Sequence, residues 1–404
     1  MVVHTIVNGN NLKKEGILDA SIQFDATTSE NWIHPRAILL TGATGLVGVY
    51  LLDELLHKTT ADIYCIIRCN NPDDGKKRLI THLQTHLLWQ EKYSSRIIPV
   101  MGDLSKPLLG LSTPVFQELA DKIDRIYHSG AFVNFMFPYS VLKAANVLGT
   151  QEIIRLSALY RLKPLHFVSS VAVFFSQTHF DKKIVNETDI PNLDESFKGG
   201  YKQSKWVAEQ LLMDAQKRGL PSAIYRPVRI LGSSKTGILK LNDDSLCHLL
   251  KACIEIGKYP TLDTLMTFVP VDYVSQAIVQ LSLQKKSINK AFHLTHPNPI
   301  PWKSFMNEIC AFGYDLQEIP YNQWIEELKT IAATHPENKV YSFLLLFLRD
   351  SNNLLLKQMH FDSTNTMQDL KGTPISCPPT DQKLVSRYLS YFQQSGYIPK
   401  HSGS

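Results

Sequence analysis

The chain has 404 residues, of which 44% are hydrophobic and 20% are charged, a composition typical of a globular protein with a large core. Its formal net charge is +5, but lysine and arginine form no basic block, so we expect no nucleic-acid partner. No apolar run approaches the roughly 20 residues of a membrane span, and the first residues lack the apolar core of a signal peptide, which together predict a cytoplasmic protein.

Strand, glycine-rich turn and helix follow one another between residues 37 and 56. Residues 37–40 are apolar, residues 41–48 read TGATGLVG, and residues 49–56 repeat apolar side chains at helical spacing. This order is typical of a turn that binds a dinucleotide pyrophosphate at a helix N-terminus. The first glycine allows a tight turn, the second lets backbone N–H groups approach the anion, and the third lets the helix pack against the strand. The predicted contacts are Gly42, Thr44, Gly45, Leu46, Val47 and Gly48.

Strands and helices alternate through the first 230 residues. The predicted strands are 37–40, 62–68, 97–101, 125–128, 165–173 and 222–225, and the predicted helices between them include 76–89, 116–123, 139–160 and 201–218. This alternation predicts an α/β fold with a Rossmann-type, doubly wound parallel sheet.

The alternation stops beyond residue 232, which predicts a smaller, mainly helical substrate domain near the C-terminus. Helical spacing covers 243–257 and 302–312, and short strands are expected near 268–269 and 291–294. The predicted boundaries are an N-terminal linker or packed arm at 1–34, a dinucleotide domain at 35–240 to which 266–297 returns, and a substrate domain at 241–265 and 298–404.

Arg68 ends the second predicted strand, at the place that meets the adenine ribose in this fold. An acidic residue there favours NAD, whereas arginine favours the 2′-phosphate of NADP, so we predict NADPH as the cofactor. Arg78 is a second candidate for the same phosphate. Both arginines could instead be ordinary surface cations.

Small and polar residues follow the third and fourth strands. We predict that Asp103 accepts a hydrogen bond from the adenine amino group and that Leu104 covers the ring. Ser129 and Ala131 flank a glycine, and their small size would let the nicotinamide-side phosphate and ribose pass. The adjacent His128 is interpreted as a satisfied core histidine.

Residues 201–205 read YKQSK, which places Tyr201 and Lys205 four residues apart on one helix face. An ammonium there would lower the phenol pKa and bind the nicotinamide ribose, and the phenol could then donate a proton to a carbonyl as hydride arrives. A Ser-Ser pair ends the fifth strand. Ser170 is our choice for the third catalytic residue, and Ser169 is the alternative.

These motifs, taken in this order, resemble the extended short-chain dehydrogenase/reductases. Residues 128–134 (HSGAFVN) resemble the HxAAxVN stretch of thioester reductase domains, residues 146–150 (NVLGT) resemble their NVxGT, and residues 225–230 (YRPVRI) with 236–237 resemble their YRPGxI…TG. Residues 242–244 and 268–274 resemble their substrate-domain signatures. On this resemblance Asn146 and Pro227 also belong to the cofactor site, together with Tyr201 and Lys205. Val228 departs from the family pattern, which usually has glycine.

The resemblance implies an activity. Such domains end nonribosomal peptide synthetases, polyketide synthases, aminoadipate reductases and carboxylic acid reductases. A carrier-protein-bound acyl or peptidyl thioester, held on a 4′-phosphopantetheine arm, would be reduced with NADPH to an aldehyde, with further reduction to an alcohol left open. Ser170 and Tyr201 would stabilise the oxyanion, and Lys205 would support Tyr201 and the cofactor ribose. No acyl-enzyme is needed, so the six cysteines are expected to be reduced thiols without a catalytic role, and no metal site is expected.

Partner contacts are less specific in the sequence. Residues 12–22 resemble the linker that joins such domains to an upstream carrier protein, and the chain is expected to act as a monomer. Scattered cations could meet an acidic carrier, although solvated surface charge is the more ordinary interpretation: Lys13, Lys14, Arg161, Lys163 and Lys198. Trp324 and residues 343–348 could line an acyl tunnel or belong to an ordinary core.

Two other interpretations stay open. The chain could be an extended short-chain reductase or epimerase that acts on a free CoA thioester or a nucleotide sugar, which would share every cofactor residue. It could also be a non-catalytic NADP-binding protein, although the intact Ser170, Tyr201 and Lys205 set argues against this.

Overall fold

A computed structural model of the protein describes residues 9–28, 30–350 and 359–401. The chain forms two compact units. The described residues of the first unit lie within Met1–Val228, Val274–Leu294 and His360–Ile375, and those of the second within Arg229–Tyr273, Thr295–Met359 and Ser376–Ser404.

The first unit contains a seven-stranded sheet, counted over the described residues, in which every neighbouring pair is parallel. Its spatial order is β7-β6-β5-β4-β1-β2-β3. This is the doubly wound Rossmann order extended by one strand, and the strand order reverses between β1 and β4. The strands are β1 (Ala37–Thr41), β2 (Asp62–Ile67), β3 (Ile97–Met101), β4 (Arg125–His128), β5 (Leu165–Val168), β6 (Ser222–Pro227) and β7 (Ala291–Leu294).

The α-helices of the described residues follow the predicted positions closely wherever apolar spacing was clear. In chain order they are α1 (Gly9–Glu15), α2 (Leu46–Lys58), α3 (Pro72–Thr85), α4 (Thr113–Lys122), α5 (Tyr139–Lys143), α6 (Gly149–Ala158), α7 (Gln177–Lys182), α8 (Gly200–Lys217), α9 (Ser245–Ile256), α10 (Val271–Ser282), α11 (Trp302–Phe312), α12 (Tyr321–Thr334), α13 (Lys339–Asp350), α14 (Thr364–Leu370) and α15 (Gln382–Gln394). None of these helices combines the length and apolar character needed to cross a membrane.

Three predicted elements differ clearly from the structure. The helix predicted over 76–89 spans Pro72–Thr85, because the Asn71 side chain caps its first turn by accepting from the Asp74 N–H. The fifth strand ends at Val168 instead of 173, because the Ser170 hydroxyl accepts from the Ala172 N–H and begins a short 3-10 helix at Val171–Phe174. The single helix predicted over 139–160 contains a π-helical turn at Ala144–Leu148, between α5 and α6. Such turns often occur at functional sites.

The segment 360–375 lies in the first unit, whereas the sequence assigned it to the substrate domain. Strand His360–Phe361 pairs in parallel with Ile184–Val185. The buried Thr366 hydroxyl in α14 also donates to the Glu187 carboxylate at 2.7 Å. No periodic pattern in the sequence indicates a late return of this kind.

The second unit has an aromatic and aliphatic core of its own. The indoles of Trp302 and Trp324 are buried, and their N–H groups donate to the carbonyls of Pro260 and Lys258 at 2.8 and 3.0 Å. Leu344 and Leu348 of α13 belong to the same core. For Trp324 and these two leucines, the interpretation as ordinary core is therefore confirmed over that of a tunnel lining.

The described N-terminal residues form a packed arm. Leu12 of α1 is buried, and Glu15 accepts a hydrogen bond from the Tyr139 hydroxyl and pairs with Lys143 at 3.0 Å. The Leu18 N–H donates to Asp214 of α8 at 3.2 Å. Residues 9–18 are thus joined to helices α5 and α8 of the first unit.

Lys163 does not lie on the surface, so the prediction that it could meet a carrier is wrong. Its side chain is 0% exposed, and its ammonium donates to the carbonyls of Leu156, Leu159 and Arg161 at 3.1, 2.6 and 2.8 Å. The first of these carbonyls lies in the last turn of α6, where peptide C=O groups lack helical partners. Burial lowers the pKa of Lys163 to about 7, and the nearby Arg161 acts in the same direction.

Replacing Lys163 tests this structural role. We expect Lys163→Met to lower the free energy of unfolding by about 2–4 kcal/mol, because buried carbonyls lose their donors. The exposed Lys198→Met is the matched control and should change stability by less than about 0.5 kcal/mol. Denaturant unfolding measures both variants. Equal stabilities would show that Lys163 does not hold the end of α6.

Candidate functional site

The glycine turn is held by direct backbone contact. Gly42 has a φ of +76°, the left-handed region that favours glycine. A Cβ on Gly48 would lie 1.9 Å from the Gly42 carbonyl oxygen, and a Cβ on Gly42 would lie 2.7 Å from the backbone of Gly130. The turn after β1 therefore packs tightly against both the start of α2 and the turn after β4. This is the point at which the strand order reverses, where open α/β sheets bind ligands.

No side chain caps the N-terminus of α2, so its first backbone N–H groups can bind an anion. Gly45 precedes the helix, donates its N–H to the Gly42 carbonyl at 2.8 Å and provides no side-chain cap. Thr44, Leu46 and Val47 are half-buried at the same place. Because the first N–H groups of a helix lack helical partners, the turn suits a phosphate, as the sequence predicted.

A chain of buried hydrogen bonds holds the glycine turn in place. The Thr41 hydroxyl accepts from the Gly130 N–H at 2.9 Å and is hydrogen-bonded to His128 Nδ1 at 2.7 Å. His128 Nε2 is hydrogen-bonded to the Thr150 hydroxyl at 3.0 Å. Burial, and then the charge of Lys205, lower the pKa of His128 to about 3. The interpretation of His128 as a satisfied, neutral core histidine is confirmed.

Asn146 lies on the π-helical turn and joins two elements of the site. Its Nδ2 donates to the Phe132 carbonyl at 3.1 Å and to the Ser204 hydroxyl at 2.9 Å, and its Oδ1 accepts from the Phe132 N–H at 2.6 Å. The Ser204 hydroxyl in turn donates to the Tyr201 carbonyl at 2.7 Å. Asn146 thus ties the loop after β4 to the first turn of α8. A direct cofactor contact by this buried residue stays a prediction.

Helix α8 carries Lys205 to the end of β5. Lys205 Nζ donates to the Val168 carbonyl at 2.6 Å and lies 4.2 Å from the centre of the Phe167 ring. Burial lowers the pKa of Lys205 to about 7, although the carboxylate of Glu209 opposes this shift. Ser170 follows Val168 by two residues and is half-buried. The structure therefore brings Lys205 to the strand end from which Ser170 projects.

Tyr201 lies near an exposed aromatic loop. Its ring packs edge-to-face against Phe135, with centres 5.0 Å apart, and burial raises the pKa of its phenol to about 12. The prediction that Lys205 lowers this pKa is therefore wrong, because burial disfavours the phenolate. The phenol keeps its proton at neutral pH until a stronger base or a developing negative charge approaches.

The two candidate serines have different partners. The Ser169 hydroxyl is buried and donates to Glu209 at 2.6 Å. Ser170 uses its hydroxyl oxygen only as a helix-capping acceptor among the hydrogen bonds of the described residues, at 3.2 Å from the Ala172 nitrogen. Ser169 is therefore committed to a structural partner, which favours Ser170 as the residue that meets a substrate.

A cationic cleft of about 750 Å³ opens beside the ends of β2 and β3. The guanidinium of Arg78 donates to the backbone carbonyl of Arg68, so the two predicted arginines lie together. Lys77 and Lys106 also line the cleft and were missed. The run of three cations at residues 76–78 was the available signal for Lys77.

Asp103 shares this cleft with the cations. Burial opposes its ionisation, but hydrogen bonds from the Ser105 N–H and hydroxyl, together with Arg68 and Lys106, keep its pKa below the usual value. It is therefore an anionic acceptor, as the predicted adenine contact needs.

The remaining predicted residues lie around the same strand ends. Leu104 packs so closely that a Cβ on Gly130 would meet its Cδ1 at 2.6 Å, and Ser129 and Ala131 flank that glycine half-buried. Pro227 ends β6. The neighbouring Val228 donates its N–H to the Leu294 carbonyl at 3.1 Å and does not have a positive φ, so glycine is not required there.

The glycine turn and the cationic cleft fit the pyrophosphate and the adenine-side ribose of a nicotinamide dinucleotide. Close glycine contacts leave no side chain between the turn and a pyrophosphate, and the cationic cleft lies at the second strand, where the ribose of the adenine half meets this fold. Consistent with this, a family model described as male sterility protein, an NAD-binding family, matches residues 40–278. The fold and site define a nicotinamide-dependent enzyme of the extended short-chain dehydrogenase/reductase class.

Individual relatives define the family more closely. The terminal R domain of the myxalamid polyketide–nonribosomal peptide pathway is 41% identical, with a TM-score of 0.92, over 97% of this chain and 99% of that chain. A linear gramicidin synthase of Brevibacillus parabrevis is 38% identical over 97% of this chain and 8% of its own length. L-2-aminoadipate reductase of Schizosaccharomyces pombe is 30% identical over 91% of this chain and 27% of its own length. The chain belongs to the family of terminal reductase domains of peptide and polyketide synthetases.

Closing the contact at Gly48 tests the glycine turn. We expect Gly48→Ala to weaken binding of the nicotinamide dinucleotide at least about 10-fold, because the added methyl group must displace the Gly42 carbonyl or shift α2. Gly9→Ala is the matched control, since this other helical glycine has nothing within 4 Å of the added Cβ. Isothermal titration measures both affinities. Unchanged binding by Gly48→Ala would mean that the turn does not form the cofactor site.

Proposed function

We propose that this chain uses NADPH to reduce an acyl or peptidyl thioester, held on the phosphopantetheine arm of a carrier protein, to an aldehyde. The observation that carries the proposal is the hydrogen bond from Lys205 to Val168, because it fixes the YxxxK helix to the strand end that presents Ser170. Its family membership supports a thioester as the substrate, because its relatives include a terminal R domain and a linear gramicidin synthase. The chain spans only a small part of the synthase, so the activity of that whole protein is not transferred.

The mechanism needs a donor for the developing oxyanion. When bound, the nicotinamide would supply hydride to the thioester carbon. The hydroxyls of Ser170 and Tyr201 would donate hydrogen bonds to the carbonyl oxygen, where negative charge develops. Tyr201 holds its proton at neutral pH and would transfer it as that charge grows, and the nearby Lys205 ammonium would stabilise the phenolate that remains.

The product then leaves without an acyl-enzyme. The C–S bond of the neutral hemithioacetal then breaks, and its hydroxyl proton is transferred to the departing sulfur, which gives an aldehyde and the free carrier thiol. Cys65, Cys247 and Cys253 are buried, and burial raises the pKa of each thiol, which disfavours the nucleophilic thiolate. None of them is required by this route.

The choice of NADPH over NADH rests on the cationic cleft. Arg68, Lys77, Arg78 and Lys106 line it and outnumber the carboxylates of Asp74 and Asp103, so a 2′-phosphate there would have several donors and a net positive lining. NADH has a neutral hydroxyl at that position and would gain little from these charges.

The proposed partner is an upstream carrier protein, and the proposed setting is the cytoplasm, with a single copy of this chain acting on each carrier. Lys13, Lys14 and Lys198 are exposed and remain candidates for contact with an acidic carrier. The guanidinium of Arg161 lies 3.7 Å from a carboxylate oxygen of Asp124 and 3.9 Å from one of Asp121. These ion pairs make Arg161 a weaker candidate for contact with a carrier.

Cofactor preference gives the first test. We expect Arg68→Gln with Arg78→Gln to raise the KM for NADPH about 10–100-fold while the KM for NADH stays unchanged, because only NADPH loses charge-assisted hydrogen bonds. Lys76→Gln is the control, since Lys76 belongs to the same cationic run but does not line the cleft. An equal loss with both cofactors would indicate a folding defect and would contradict the assignment.

Substrate choice gives the second test. Purified protein with NADPH is offered a carrier-bound thioester, the matching CoA thioester and a nucleotide sugar, and products are identified by mass as aldehyde or alcohol. We expect turnover of the carrier-bound thioester and release of aldehyde. Turnover of the nucleotide sugar alone would support the epimerase interpretation, and no turnover of any substrate would support a non-catalytic role.

The proton donor gives the third test. We expect Tyr201→Phe to lower kcat about 10²–10⁴-fold with little change in NADPH affinity, because only the transferable proton is lost. Tyr160→Phe, at an exposed tyrosine, should leave kcat unchanged. Undiminished NADPH consumption by Tyr201→Phe would remove Tyr201 from the mechanism.

A further inference from the structure

Glu209 is a buried carboxylate that the proposed reaction does not yet use. Its side chain is 0% exposed. Oε1 accepts from Arg226 Nε at 2.9 Å, and Oε2 accepts from the Ser169 hydroxyl at 2.6 Å. A buried charge is tolerated only when it is paired and hydrogen-bonded, and both conditions are met here.

The helix places Glu209 in line with the catalytic residues. Tyr201, Lys205 and Glu209 are spaced by four residues along α8, so they share one face of the helix. Lys205 binds the carbonyl of Val168, and Glu209 binds the hydroxyl of the next residue, Ser169.

Two successive residues of the strand end are therefore held by two successive turns of one helix. Ser169 is fixed further by its N–H, which donates to the Tyr225 carbonyl of β6 at 2.7 Å. Ser170 is the next residue in the chain. Its position relative to α8 is consequently set by contacts at Val168 and Ser169, and Glu209 supplies one of these two contacts.

Besides holding Ser169, Glu209 affects the charge of Lys205, as the groups around this lysine show. His128 faces Lys205 from β4 and is neutral at neutral pH, because its pKa lies at about 3. Arg226 approaches from β6, but its charge is paired with Glu209. Tyr201, on the same helix, keeps its proton. Among the described residues, Glu209 is the carboxylate that favours the charged form of Lys205 against burial.

We propose that Glu209 is a positioning residue of the reaction centre, which holds the Ser169–Ser170 turn against α8 and favours the ammonium form of the buried Lys205. The proposal rests on the proposed function only for the roles of Ser170 and Lys205. A purely structural carboxylate would stabilise the fold without changing the ionisation of Lys205.

A second buried carboxylate provides the matched control. Glu187 accepts from the His293 N–H at 2.8 Å and from the Thr366 hydroxyl at 2.7 Å, and burial raises its pKa. Its backbone carbonyl also accepts from Arg226, at 3.2 Å. Glu187→Gln thus perturbs a buried carboxylate near the same arginine but leaves the charge beside Lys205 in place.

The experiment measures the pKa of Lys205 without turnover. Lysines labelled with a carbon isotope at Cε are followed by NMR as the pH is changed, and Lys205→Arg identifies the resonance. We expect Glu209→Gln to lower the pKa of Lys205 by about one unit, because a nearby negative charge is lost and Arg226 is left unbalanced. Glu187→Gln should leave this pKa unchanged. An unchanged Lys205 pKa in Glu209→Gln, or an equal shift in Glu187→Gln, would overturn the proposal.

Kinetics give the second readout. A lysine is charged below its pKa, so activity that needs the ammonium is lost as pH rises through that pKa. We expect this limb of the kcat profile to move to lower pH by about one unit in Glu209→Gln, with partial recovery of activity on acidification. Glu209→Asp should keep the limb near its original position, because the charge remains, while kcat falls as the shorter side chain loses Ser169. If the high-pH limb of the kcat profile does not move in Glu209→Gln, Glu209 does not control the charge of Lys205.

Two further arms keep the outcomes separate. If Glu209→Gln does not fold, Glu209→Asp is the fallback: it keeps the charge, so the pKa of Lys205 should stay near its wild-type value while kcat falls, and an unchanged kcat would overturn the proposal. If the wild-type protein reduces no thioester, the proposed function fails, but the NMR titration still decides whether Glu209 controls the charge of Lys205.

Discussion

The burial of the charged face of α8 is the constraint on which the reaction centre depends. Lys205 and Glu209 are both buried, and leaving either without partners would cost several kcal/mol. Their partners are found on other elements: the Val168 carbonyl and the Ser169 hydroxyl at the end of β5, and Arg226 in β6. Satisfying these charges therefore fixes one helix and two strand ends relative to one another.

The cofactor half of the site depends on a different physical effect, steric exclusion. Glycines after β1 and β4, and at the start of α2, approach so closely that a single methyl group at Gly42 or Gly48 would overlap backbone atoms. The two halves are connected by buried hydrogen bonds that run from Thr41 through His128 and Thr150 towards Asn146. Asn146 then reaches α8 through Ser204, so the glycine turn and the catalytic helix belong to one hydrogen-bonded framework.

The sequence predicted those parts of the fold that follow from local periodicity. Strands β1, β3, β4 and β7 and helices α8 and α11 agree with prediction to within about a residue, because apolar spacing and turn residues mark them. The proximity of Arg68 and Arg78 also followed from their places beside one strand end. In each case a pattern within a few residues was sufficient.

The features that the sequence missed depend on long-range contacts. Nothing local distinguishes Ser169 from Ser170, and their difference appears only because Glu209, forty residues later, binds one of them. Lys163 was interpreted as a surface cation because lysines are mostly exposed, yet it is buried among carbonyls. The late return of 360–375 likewise results from tertiary pairing, which periodicity does not report. The π-helical turn at Ala144–Leu148 lies in a segment whose apolar spacing predicts a continuous helix.

The most direct measurement follows a labelled hydride into the released product. NADPH carrying deuterium at the transferable position of the nicotinamide is mixed with the protein and a carrier-bound thioester, and the products are analysed by mass spectrometry. The account predicts an aldehyde, or an alcohol derived from it, with deuterium on the former thioester carbon, together with a carrier that has regained its free thiol. Release of an unlabelled carboxylic acid, or no release of the acyl chain, would contradict it.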